Sequence, residues 1–98
     1  MTDEKINEVL DMYEASLSQS YEPFESDFDC RCPSQWSACC HVLSMIPKMR
    51  EFLRQGRREK VMRWLGFIQG ILWMMGDYNL RELMDHNRPD AGSEAEEK

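Results

Sequence analysis

Ninety-eight residues with a 42% apolar share and ten aromatics supply one modest core and no second one. The formal charge of −6 argues against general nucleic-acid binding, because neutralising phosphates needs a net basic surface. The longest apolar-rich segment, VMRWLGFIQGILWMM at 61–75, is too short to span a bilayer and is interrupted by Arg63 and Gln69.

The opening MTDEKINEVL places acids where a secretory signal needs a basic and then an apolar region, so the sequence reads as cytoplasmic, with reduced thiols. Within 3–18, Ile6, Val9, Leu10, Tyr13 and Leu17 recur at steps of three and four. That predicts an acidic first helix with one buried stripe, capped by Thr2. The period is lost over 19–33, where Pro23 and Pro33 mark a connector, and its aromatics Tyr21, Phe24 and Phe28 predict that it is packed down.

The second helix is expected over 34–55, with Ser34 as cap and a stripe through Trp36, Cys39, Cys40, Leu43, Ile46, Met49, Phe52 and Leu53. Pro47 predicts a kink or break in it, and Gly56 a stop. The third, over 57–75, shows the strongest periodicity: Val61, Trp64, Leu65, Ile68, Ile71, Leu72 and Met75. Phe67, Trp73 and Met74 make its second half apolar on more than one face, which puts it at the centre of the bundle or against another chain. A short fourth helix is expected over 79–87, where Asn79 and Glu82 have capping-box spacing. The segment 90–98 has no large apolar residue and reads as a disordered acidic tail. The fold class is therefore all-α: a bundle of three long helical segments and a short one in a single domain over 1–89. Surplus apolar surface on the first and third helices predicts a homodimer.

Four groups are candidates for function. Charge is strongly polarised: residues 1–29 hold nine acids against Lys5, whereas 48–63 holds seven bases against Glu51 and Glu59. The basic block Arg50, Arg54, Arg57, Arg58, Lys60 and Arg63 either answers the acidic first third or forms a site for a partner or small anion, since the guanidinium fork suits phosphates and carboxylates. Gly66 and Gly70, each costing roughly 1 kcal/mol against alanine in a helix, predict close packing of another helix along a face shared with Phe67, Trp73 and Met74, or else a ligand groove beside Gln69 and Trp73. Cys30, Cys32, Cys39 or Cys40, and His41 offer four zinc-ligand types, but with C-x-C and adjacent-cysteine spacing in place of paired knuckles. Cys39 and Cys40 read better as small buried hydrophobes. The Glu82-x-x-Asp85 pair lacks an adjacent helical counterpart, because Glu22-x-x-Glu25 falls in the connector. His86 is expected to interact with the dipole of the last helix. No nucleophile, base and acid are spaced for catalysis, and no cofactor is implied.

The stretch MRWLGFIQGILW…LRELMDHNRP (62–89) resembles small accessory proteins encoded by tailed bacteriophages. The resemblance implies a bacterial-cytoplasm setting and a non-enzymatic role: binding a host macromolecule, with a defence component among the options. The alternatives from the residues themselves are a small-anion or nucleotide-sequestering protein and a zinc-stabilised module.

Overall fold

A computed structural model describes residues 1–88, which form four helices and no strand. The helices are α1 (Asp3–Leu17), α2 (Gln35–Arg54), α3 (Arg58–Met74) and α4 (Leu80–His86), each bounded within one residue of the expected span. The expected tail, 90–98, lies outside the described residues.

Local chemistry sets most of the ends. Thr2 Oγ1 accepts from the Lys5 amide at 3.1 Å, and Ser34 Oγ from the Ser37 amide at 3.0 Å. Asn79 and Glu82 make both bonds of the capping box, at 2.8 and 2.9 Å. Helices α2 and α3 close alike on left-handed glycines. Gly56 (φ +77) and Gly76 (φ +82) donate to Leu53 and Trp73, and the following residues Arg57 and Asp77 donate to Phe52 and Leu72. This is the Schellman arrangement, and a side chain at either glycine would strain it.

The centre of the bundle is α2, not α3. It packs against both α1 and α3 and buries Ala38, Cys39, Cys40, Val42, Leu43, Met45, Ile46, Met49 and Leu53. Neighbouring pairs such as Val42 and Leu43 cover two faces, which a helix between two partners needs. Pro47 does not break it: the α-helix runs through from residue 35 to 54. Proline denies the Leu43 carbonyl its donor, but Pro47 lies on the exposed side while Ile46 and Met49 hold the helix to its neighbours.

Two aromatic expectations fail. Trp36 is half exposed and pairs with Phe24 at 6.0 Å rather than entering the core. Of the connector aromatics only Tyr21 packs against the core, whereas Phe24 and Phe28 face outward. Polar bonds hold the connector instead. The Phe24 amide donates to the Cys40 carbonyl at 3.1 Å, Ser26 N–H to His41 Nδ1 at 3.0 Å, and Lys48 pairs with Glu25 at 2.9 Å.

Candidate functional site

The six cations of the basic block do not act together. Arg50 reaches across to α1 and bonds Asp11 at 2.6 Å and Glu14 at 2.9 Å. Arg58 pairs with Asp3 and donates to the Met1 carbonyl, and Arg54 Nε bonds Glu51 within its own helix at 3.0 Å. Half the block therefore neutralises carboxylates of the same chain, two of its three members on the acidic first helix. Arg57, Lys60 and Arg63 remain. Together with Arg58 and Glu59 they line a hollow of about 470 Å³ at the start of α3. Arg57 and Lys60 lie 4.9 and 4.4 Å from the ring centre of Phe52, itself edge-on to Trp64 at 5.0 Å. No side chain caps α3 at Arg57. Its first-turn amides thus lack the acceptors that Thr2, Ser34 and Asn79 supply to the other helices.

The glycine face does not pack inward. A Cβ at Gly66 or Gly70 would meet nothing within 4 Å, so neither glycine accommodates a helix of this chain. The substitution Gly70→Leu is therefore expected to leave the fold intact, contrary to the packing expected from sequence. Gly66→Ala should stabilise α3 by roughly 1 kcal/mol, raising the melting temperature by about 4–8 °C in calorimetry of the dilute protein. A lower melting temperature would show that the glycine is required by the fold. Phe67, Trp73 and Met74 are exposed beside these glycines. Phe67, Gly70 and Met74 form one wall of a groove of about 570 Å³, with Asp27, Phe28 and Cys30 of the connector opposite.

The cysteines separate by depth. Cys39 and Cys40 are fully buried in α2, whereas Cys30 and Cys32 are exposed on the connector. Burial pushes the Cys39 thiol up, as expected for a core position. His41 Nδ1 accepts the Ser26 amide and so is not offered to a metal. Among the described residues no three His, Cys, Asp or Glu side chains converge on a point that could hold an ion. The cysteine-histidine set accordingly gives no zinc site there.

Sequence reasoning missed a polar network. Gln69, at the spacing of the α3 stripe between Leu65 and Leu72, is the only buried polar residue among those described. Its Nε2 donates to Tyr13 Oη at 3.0 Å, and its amide exchanges bonds of 2.8 and 3.0 Å with that of Asn87. Burial pushes the Tyr13 hydroxyl up to about 12, so it keeps its proton and can donate to His86 Nδ1, 2.7 Å away. Burial also lowers the pKa of His86, the reverse of what a helix C-terminal dipole would do. The signal available was a glutamine inside an apolar stripe, which reads as an interruption until its partners are known.

No family model matches the chain, and neither a curated protein nor a solved structure matches it. None of the helices among the described residues is long and apolar enough to cross a membrane.

Proposed function

We propose that the chain is a non-enzymatic docking protein that holds an acidic surface of a macromolecular partner at the cationic start of α3. The observation that carries this reading is the arrangement around the hollow. Arg57, Lys60 and Arg63, beside the Asp3-paired Arg58, gather where the helix dipole disfavours cations and where the backbone amides have no cap. A carboxylate brought by a partner would satisfy both the amides and the guanidinium groups. The aromatic pair Phe52 and Trp64 beneath Arg57 and Lys60 supplies the apolar contact that interface hot spots combine with arginine. In this reading the resemblance of 62–89 to phage accessory proteins supports a host macromolecule as the partner, its activity modulated or blocked.

The test is cross-linked capture from bacterial lysate by the wild-type chain and by Arg57→Glu with Lys60→Glu. One acidic partner in stoichiometric yield is expected, lost in the variant while the melting temperature stays within a few degrees. Capture unaffected by the variant removes this rim as the contact, and capture of nothing by the folded wild type removes docking altogether.

The uncapped amides also favour a second reading, a small-anion or nucleotide binder at the same hollow. Thermal shift against inorganic phosphate and a nucleotide panel separates the two, since a ligand at 100 times its Kd adds about 2.7 kcal/mol. Absence of any shift eliminates the small anion.

A further inference from the structure

The second half of α3 presents an apolar face that nothing in the described chain covers. Phe67 is 55% exposed, Met74 74%, and Phe28 across the groove 81%. Isolated exposed apolar residues are ordinary, but these line one continuous groove. Gly70 lies in its wall and Gly66 one turn before it, and at neither would a Cβ meet any atom of this chain within 4 Å.

Charge selects the occupant. Arg63 stands toward the amino-terminal end of this face, while Asp27 lines the groove on the connector and Asp29 follows it. The side chains of Arg63 and Asp29 have no hydrogen-bond or ion-pair partner among the described residues. A uniformly acidic or basic segment laid along the groove would meet its own sign at one end. A second α3 running the opposite way would meet the opposite sign at both. Such reciprocity is what a two-fold interface requires, where residue i of one copy meets j of the other and j meets i. The helix dimensions set what Arg63 meets on the mate's helix itself, since Arg63 and Trp73 each lie five residues, about 7.5 Å, from Ile68. Antiparallel α3 helices crossing at that level would therefore bring them side by side. The net charge of −6 per copy opposes approach only weakly, because salt screens exposed charges beyond about 8 Å.

We propose that two copies pair through α3, antiparallel about a two-fold axis at the level of Gly66 and Gly70. Phe67 and Met74 of each copy enter the groove of the other, and Arg63 of each reaches the acidic connector of its mate. The pairing takes Arg63 from the rim of the docking hollow but leaves Arg57 and Lys60, the two cations that the docking test reverses, so each proposal is tested by different variants.

Sedimentation velocity of the full chain between about 1 and 100 µM, with reductant to keep Cys30 and Cys32 free, tests the pairing at concentrations where a standard interface is occupied. A species of twice the 11.6 kDa chain mass is expected. Phe67→Glu and Gly70→Leu should each give a folded monomer by circular dichroism, two variants guarding against misfolding of one. Arg63→Glu should weaken the dimer at least tenfold, and adding Asp27→Lys with Asp29→Lys should restore most of that loss. A wild-type monomer throughout the range would assign the groove to a different molecule and overturn the proposal. So would a dimer indifferent to Phe67→Glu and Gly70→Leu, and charge reversal without recovery would overturn the antiparallel arrangement.

Discussion

Removing one oxygen atom, in Tyr13→Phe, is expected to destabilise the protein by about 2–3 kcal/mol and lower its melting temperature on the order of 10–20 °C. The hydroxyl joins three helices. It accepts from Gln69 of α3, is placed to donate to His86 of α4, and belongs to a fully buried residue of α1. Without it one Gln69 amide hydrogen and the His86 Nδ1 lose their partner in a poorly hydrated site, and each orphan costs about 1–3 kcal/mol. The ring packing against Tyr78 at 5.4 Å is retained, so the loss belongs to the polar bonds. Adding Gln69→Leu should recover part of it, because replacing both members of a buried polar pair by apolar groups of similar shape is far milder than orphaning one. Denaturant unfolding of the two variants provides the measurement. Tyr13→Phe within 0.5 kcal/mol of wild type, on the scale of a neutral surface change, would mean that the network carries no net stability.

Acidification should weaken the fold through His86. Its folded-state pKa lies below the ordinary histidine value of 6.5, chiefly because the ring is partly buried, with Lys5 contributing in the same direction. Glu82 and Asp85 act the opposite way without reversing the shift, and Tyr13 and Tyr78 face the ring as neutral neighbours. Above 6.5 the imidazole is neutral in both states and its full contribution to stability is present. As the pH falls through 6.5 the unfolded chain takes up the proton first, so stability declines until the folded-state value is passed. Melting curves between about pH 7.5 and 5.5 should therefore slope downward on the acid side, a window set by the ordinary histidine pKa. In His86→Gln the slope should be smaller, since the carboxylates common to both proteins cancel in the comparison. Equal slopes would place the acid sensitivity elsewhere.

The helices were legible because three apolar stripes and three capping residues are local signals, and Thr2, Ser34 and Asn79 each cap where their spacing requires. The position of each helix in the bundle was less so. The large side chains of α3 drew attention, yet Phe67, Trp73 and Met74 lie outside and α2 occupies the middle by means of Ala38, Cys39 and Cys40. Small residues carry little weight in a hydrophobic pattern, although they let two neighbours approach from opposite sides. The polarity between an acidic start and a basic middle was readable from charge alone. Which cations it would occupy was not, because that depends on α1 crossing α2 so that Arg50 meets both Asp11 and Glu14. The glycines predicted a close approach that no helix of this chain makes, because their spacing carries no information about whether a neighbour is present in the same fold.

The different depths of the four sulfur atoms bear on experiment. An alkylating reagent meets Cys30 and Cys32 at the surface immediately, whereas Cys39 and Cys40 become reactive only when α2 parts from its neighbours. The slow phase of labelling is thereby a clock for that parting, carried by the unaltered polypeptide and readable by mass spectrometry without an added probe.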